Sequence, residues 1–382
     1  MRTPFLCAAL LAFAACSPED SAEKDQARVV AAPDDGTDSM TARDADAGQA
    51  AAIGIPDTEP RPVMQAQVVL ERLGFGTGVI DGAQGKSFVN ALKGFQESRD
   101  LPVTGKLDEA TRGALSQWSN IPATRVVTIP AAWGQEPFAP VPEGMAAQAK
   151  VARLGYESMA EKLAERFHTS PAVLARLNPR GKPAGAERGA VPPAKPSPAA
   201  APPQFAAGQQ VRVPNVGADA IDAASVDNKD WLATLRSLGV GTDQPDVARI
   251  LVDESEGWLK AFDGNDRLVA MFTVTTGSQR DPLPIGNWKV KGVAYNPPYA
   301  FDPELFWDVP DSADKQQIAP GPNSPVGVVW IDLTKDHYGI HGTPVPANIG
   351  RTESHGCVRL TNWDAARLAE MVSGNTAVEF RR

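Results

Sequence analysis

Cysteine is nearly absent from this chain: 382 residues contain three, Cys7, Cys16 and Cys357, and only Cys357 lies beyond the first sixteen positions. With the early two removed or modified, Cys357 has no partner, which excludes a disulfide-stapled scaffold. Histidine is also sparse, at four residues. His341 and His355 lie near Cys357, but the group lacks the spacing and acidic second shell of structural zinc, so neither metal nor cofactor is expected. The apolar run from Phe5 to Ala15 is too short to span a membrane as a stable helix. No basic patch or stripe appears, which removes the electrostatic case for a nucleic-acid partner.

What is present divides along the chain. The 34 prolines and 33 glycines concentrate in a few stretches, and 42% of residues are hydrophobic. That pattern predicts two or three packed domains on linkers. Met1-Arg2-Thr3 ahead of the apolar run reads as a secretory signal, residues 1–16. Residues 17–60 hold eleven acidic and three basic side chains, most of the net charge of −9, and no aromatic residue. They read as a disordered acidic tether, because they cannot bury enough surface to offset the entropy of ordering.

Residues 61–120 carry three helical patterns: Val68, Val69, Leu70 and Leu73; then Phe88, Ala91, Leu92 and Phe95; then Leu107 to Leu115. Residues 121–145 read as proline-punctuated connection. Residues 155–179 predict two short amphipathic helices broken at Ser170-Pro171, and 205–216 a turn and a strand; His168 reads as an ordinary helix-end residue. From about 225 the pattern turns to strands: 248–252, 257–262, 267–275, 288–293, 326–333 and 338–341, with a helix from about Asn362 to Val372 and a last strand from Ala377. A long loop at 294–321 holds Tyr295, Tyr299, Phe301, Phe306 and Trp307. Five aromatics in so long a loop predict a lid.

The chemistry concentrates in His341-Gly342-Thr343 and Ser354-His355-Gly356-Cys357-Val358-Arg359-Leu360. A thiol attacks only as thiolate, and an imidazole is the group that takes its proton. Glycines let the main chain approach a reacting carbonyl and aim amides at an oxyanion. Arg359, two residues past the thiol, suits bidentate capture of a carboxylate. Either His341 or His355 would serve as base. His341 is favoured, because the residue two before the thiol shares its face only in a regular extended loop, and Gly356 argues against one.

Those two blocks closely resemble the active-site signature of the L,D-transpeptidases, the YkuD-like peptidoglycan cross-linking family; Pro284-Ile285-Gly286 and the stretch 322–327 resemble further family blocks. The resemblance implies a mostly β catalytic domain at 225–382, a β-sandwich with the cysteine loop in a cleft. Cys357 would be the nucleophile, His341 the base oriented by the Gly342 carbonyl, and the amides of Gly356, Cys357 and His355 the oxyanion donors. Arg359 would hold a substrate carboxylate, with Ser354, Trp307 and Tyr299 lining the peptide site. A Cys357 thiolate paired with a His341 imidazolium is the expected reactive form. The same nucleophile would also serve an L,D-carboxypeptidase or a cross-link-cleaving hydrolase, and a non-catalytic wall-binding protein is the reading from another class.

Residues 73–115, with Asp81-Gly82, Gly85, Phe95-Gln96, Gly105 and Thr111, resemble the three-helix peptidoglycan-binding domain. Residues 145–216 resemble the later part of a LysM glycan-binding module with a Pro/Ala-rich insertion at 180–204 and no opening strand, so glycan binding and a spacer role both stay open. Ala14-Ala15-Cys16 resembles a bacterial lipoprotein box, with Phe13 where leucine is usual. It implies lipidation at Cys16 and a periplasmic protein anchored to the outer membrane, and Ser17 fits that sorting; cleavage without lipidation would give a soluble periplasmic protein. Peptidoglycan is the expected partner.

Overall fold

The computed structural model describes residues 55–186, 204–218, 221–310 and 312–382. The signal, the lipidation site Cys16, nearly all of the acidic tether and most of the Pro/Ala-rich insertion lie outside them.

α1 (Pro62–Arg72), α2 (Lys86–Ser98) and α3 (Glu109–Leu115) are the three expected helices. Proline at the first turn starts α1, and the Asp108 side chain caps α3 by accepting from the Thr111 amide. Their apolar faces converge on Val68, Leu70, Phe88, Leu92 and Phe95, all buried. Gln96 ties the unit together, donating to Thr104, Thr111 and the Lys106 carbonyl while accepting from the Gly105 amide.

Residues 121–145 are more than connection. β1 (Thr124–Thr128) lies there, followed by the short α4 (Met145–Gln148), then α5 (Met159–Arg166) and α6 (Pro171–Leu177), capped by Ser158 and Ser170. β2 (Gln210–Pro214) returns antiparallel to β1, Val126 opposite Arg212. The segment is therefore strand, helix, helix, strand around Leu163, Phe167, Leu174, Val211 and Val213, and the opening strand exists after all. Five residues with an arginine among them, between Pro122 and Pro130, offer too little alternation to declare a strand.

A second correction follows at 225, where strands were expected to begin. α7 (Lys229–Leu238) comes first, capped by Asn228 and ended by Gly239 in the left-handed conformation. Then come β3 (Arg249–Asp253), β4 (Trp258–Phe262), β5 (Leu268–Thr273), β6 (Gly286–Tyr295), the hairpin of β7 (Tyr299–Phe301) and β8 (Gln316–Ile318), β9 (Val329–Leu333), β10 (Gly339–His341), β11 (Val358–Arg359), α8 (Asn362–Met371) and β12 (Ala377–Arg381). Eight strands form one sheet in the order β11-β10-β9-β6-β12-β3-β4-β5. The ten-residue β6 changes partner along its length: Gly286 to Lys289 pair with β12, and Val290 to Tyr295 with β9, with an irregularity between Val290 and Gly292. The expected sandwich is thus a single strand order curled on itself. Ile250, Leu259 and Phe272 from one half share a core with Val329, Ile331, Ile340 and Val358 from the other, and with Leu235, Trp363 and Leu368 of α7 and α8.

The three parts are not spaced out on linkers. The turn after α1 extends the sheet at its β5 edge: the Gly76 amide donates to the Met271 carbonyl at 2.8 Å, and Met271 donates back to Gly74 at 3.2 Å. Phe75 is buried there, packing edge-on against Phe95 at 6.0 Å, and burial of one such ring is worth about 2 kcal/mol. His168 is correspondingly no ordinary helix-end residue. Wholly buried, its ring stacks on Trp363 at 4.9 Å and bridges Glu71 of α1 (3.1 Å) and the Leu238 carbonyl of α7 (2.9 Å). Arg367 of α8 reaches the Glu71 carbonyl at 2.8 Å and its carboxylate at 3.3 Å, so a buried polar cluster joins all three parts.

Candidate active site

β10 and β11 run parallel at the sheet end away from β5, with Ile340 opposite Val358 and His341 opposite Arg359. Side chains alternate across a sheet, so His341, Arg359 and Cys357 share one face, and Ile340 and Val358 fill the core on the other. A strand pair thus brings together residues sixteen and eighteen positions apart.

His341 is buried between strands and stacks on Trp330 at 5.3 Å and 17°. Its Nδ1 meets the Gly342 carbonyl at 2.7 Å. That carbonyl only accepts, so Nδ1 carries the proton and Nε2 is left with a lone pair. Burial, and after it the Arg359 charge, push His341 down to about 4 against the opposing Gly342 bond. Cys357 is partly exposed. Its sulfur lies 3.9 Å from the His337 carbonyl. Burial pushes the thiol up, while the Gly339 amide and Arg359 pull it down less strongly. Both shifts favour the neutral forms, thiol and imidazole, over the expected ion pair.

Arg359 is the unusual member. Burial lowers its own pKa, partly offset by Cys357 and Tyr299, and its Nε is buried without a hydrogen-bond partner. The residue as a whole is half-buried; a guanidinium drawn out of water is ordinarily paired with a carboxylate, and among the described residues no ion pair with Arg359 occurs.

The loop before Cys357 is held by internal bonds. Ser354 is buried, its hydroxyl donating to the Cys357 carbonyl at 2.6 Å and accepting from the Gly356 amide at 3.2 Å. Ser354 is therefore turned inward instead of lining a peptide site, and the Gly356 amide is engaged, which leaves the Cys357 and His355 amides as oxyanion candidates. Gly356 has φ +103°, and a Cβ there would meet the Tyr338 ring at 2.7 Å, so both backbone and space demand glycine. His355 points the other way, toward the lid, its Nε2 3.1 Å from Asp308 and its ring edge-on to Phe306 at 5.1 Å.

The stretch expected to form a lid contains a short hairpin of β7 and β8. Tyr299 faces the site: burial, and after it the nearby Cys357 charge, raise its hydroxyl to about 12. Trp307 is half exposed, under the Arg280 guanidinium at 3.7 Å and bonded to Asp281 at 2.6 Å. From behind, Leu154 holds the hairpin's stem, donating to Pro320 at 3.0 Å and accepting from Asn323 at 3.1 Å. Trp330 and Tyr338 were not foreseen as site residues. Each occupies an ordinary strand or turn position, and only the neighbouring strand shows what it faces.

Comparisons with known proteins identify two regions of the chain. Residues 248–379 match the family described as YkuD, L,D-transpeptidase catalytic domain, and residues 60–115 the family "Putative peptidoglycan binding domain". The chain is 48% identical over 61 residues to "Putative L,D-transpeptidase YkuD" of Bacillus subtilis (strain 168), which is 16% of this chain and 37% of that protein. It is 41% identical over 63 residues to "Probable L,D-transpeptidase YbiS" of Escherichia coli (strain K12), 16% of this chain and 20% of that protein. The match thus spans little more than a third of the first relative and a fifth of the second. The NMR structure of the catalytic domain from E. faecium L,D-transpeptidase acylated by ertapenem overlays with a TM-score of 0.28 at 18% identity, over 35% of this chain and 97% of that one; so low a score carries no weight by itself. Residues 248–379 thus carry a YkuD L,D-transpeptidase catalytic domain, with a peptidoglycan-binding domain ahead of it at 60–115.

Proposed function

We propose that this protein transfers acyl groups between peptidoglycan stem peptides through a thioester on Cys357. The observation that carries this reading is Arg359, a half-buried guanidinium whose Nε has no hydrogen-bond partner and which forms no ion pair among the described residues, on the same face as a thiol and an imidazole. Such a cation asks for a carboxylate, and a stem peptide supplies one beside its scissile bond. His341 Nε2 takes the thiol proton as Sγ attacks the carbonyl at the L-centre of diaminopimelate in a tetrapeptide stem. The amides of Cys357 and His355 hold the oxyanion. The C–N bond then breaks, and His341 returns its proton to the departing D-alanine amine. An acceptor amine attacks the thioester, gives its proton to His341 and releases the thiol, which completes a ping-pong cycle.

Arg359 also tunes the pair. Its charge depresses His341, so a substrate carboxylate that neutralises Arg359 strengthens the imidazole as a base on binding. The domain at 60–115 keeps the polymer at hand and so raises the effective concentration of stems. Purified protein incubated with muropeptides, read by mass spectrometry, tests the proposal. Loss of D-alanine with formation of a linked dimer is expected, and Cys357→Ala abolishes both. Loss of D-alanine without a dimer would make it an L,D-carboxypeptidase, and no change would refute acyl transfer.

A further inference from the structure

α5, in the strand–helix–helix–strand segment, reaches behind the catalytic strand pair. Asn362, first residue of α8, is fully buried. Its Nδ2 donates to Glu165 of α5 at 2.7 Å and to the Pro322 carbonyl at 3.0 Å, and its Oδ1 accepts from the Val328 amide at 3.3 Å. The carboxamide is wedged under two glycines: a Cβ on Gly327 or Gly342 would lie 2.0 or 2.2 Å from Oδ1. Gly342 is the residue whose carbonyl fixes His341 Nδ1 at 2.7 Å. The contacts therefore run from Glu165 through Asn362 and the Gly342 peptide to the imidazole.

We propose that Glu165 and Asn362 are positioning residues for His341, so that the accessory segment supports the active site directly besides any contact it makes with the wall. This rests on the assignment of His341 as base. Without Glu165 the carboxamide keeps the Pro322 carbonyl at 3.0 Å and the longer Val328 bond at 3.3 Å, but one buried N–H of Nδ2 loses its acceptor and the group is drawn off its present angle, with the Gly342 peptide packed against it. Glu165 supplies the shortest of the three bonds, and a second acceptor at 2.7 Å satisfies both protons of Nδ2 and sharpens its direction. The carboxyl group sits among Glu161, Lys162 and Tyr156, and burial raises it to about 7. Oε1 accepts in either protonation state, so the support does not depend on its charge. Small displacements of a catalytic group are expensive: about 1 Å costs on the order of a hundredfold in rate.

The test compares Glu165→Gln, which keeps an acceptor oxygen, with Glu165→Met, which keeps the length and removes it. With a tetrapeptide stem as probe, Glu165→Met is expected to lower kcat by about tenfold or more with KM within about twofold, while Glu165→Gln stays within about twofold of wild type. The ¹⁵N spectrum of His341 gives a readout independent of turnover. Wild type and Glu165→Gln should show one Nδ1–H tautomer, and Glu165→Met a mixture. Wild type inactive on the stem but with this tautomer pattern would count against the proposed reaction and leave positioning standing. Unchanged kcat and an unchanged spectrum in a folded Glu165→Met would overturn the proposal. So would a loss confined to KM, or a Glu165→Met that fails to fold while Glu165→Gln is active, since either outcome makes the bond merely structural.

Discussion

The upward shift of Cys357 and the downward shift of His341 have a direct kinetic consequence for alkylation of Cys357, the one thiol among the described residues. An ordinary thiol with a pKa of about 8.5 is about 3% thiolate at pH 7. Burial moves Cys357 higher, so its thiolate fraction is smaller still. Only thiolate reacts with iodoacetamide, hence the rate should climb about tenfold per pH unit from pH 6 to pH 8. No plateau is expected in that range. A thiolate–imidazolium pair would give one, but His341 at about 4 is charged in only about one molecule in a thousand at pH 7. Arg359→Met should slow the reaction further at every pH in the window, because Arg359 is one of the two groups that favour the thiolate. The assay is intact-mass spectrometry of timed reactions on a chain with Cys7 and Cys16 replaced. A rate flat between pH 6 and pH 8, or one raised by Arg359→Met, would refute the electrostatic reasoning.

Three other perturbations have defined outcomes. His341→Ala should abolish thioester formation with a stem peptide, whereas His355→Ala, whose ring faces Asp308 and Phe306, should retain acylation and alter KM; the reverse order, read by intact mass, would transfer the base to His355. Gly356→Ala must place a Cβ at φ +103° against Tyr338, which should cost about 1–3 kcal/mol in thermal or urea unfolding together with most activity; a variant as stable as wild type would show that the loop is not so constrained. Burial holds Asp364 up to about 8 and Glu165 up to about 7, so above pH 6.5 the folded chain binds protons that an unfolded chain has already released. Stability should therefore fall from pH 6.5 to pH 8, and a Tm flat or rising across that window would sink the assignment.

Deleting residues 61–120 bears on the architecture. Were the peptidoglycan-binding domain held only by a linker, the remainder would fold unchanged. With the turn at 74–76 paired to β5 and Glu71 buried against His168 and Arg367, the deletion removes Phe75 from the sheet edge and exposes that edge. The truncated chain should lose stability and aggregate, as unprotected edge strands do, and light scattering on heating would show it. A truncated chain that melts as wild type does would mean that the docking contributes nothing.

The local patterns were legible because they need only neighbours in sequence. Helix periodicity marked α1, α2, α5 and α6, Ser170-Pro171 marked a helix start, and alternation marked β3 to β6. The two glycine-rich blocks carried the chemistry of thiol, imidazole and guanidinium without any knowledge of the fold. α7 and β1 were missed, the one taken for strand and the other for connection. β1 is defined by β2, more than eighty residues away, rather than by its own alternation. His168 looked like any helix-end residue, and burial at a junction of three parts cannot be read from one helix. Sequence alone named the residues able to react. Tertiary structure decided their surroundings: that Arg359 forms no ion pair among the described residues, that Ser354 turns inward, and that burial shifts thiol and imidazole toward their neutral forms. Burial and the distance to a neighbouring charge set a pKa, and both are fixed only when strands far apart in the chain come to lie side by side.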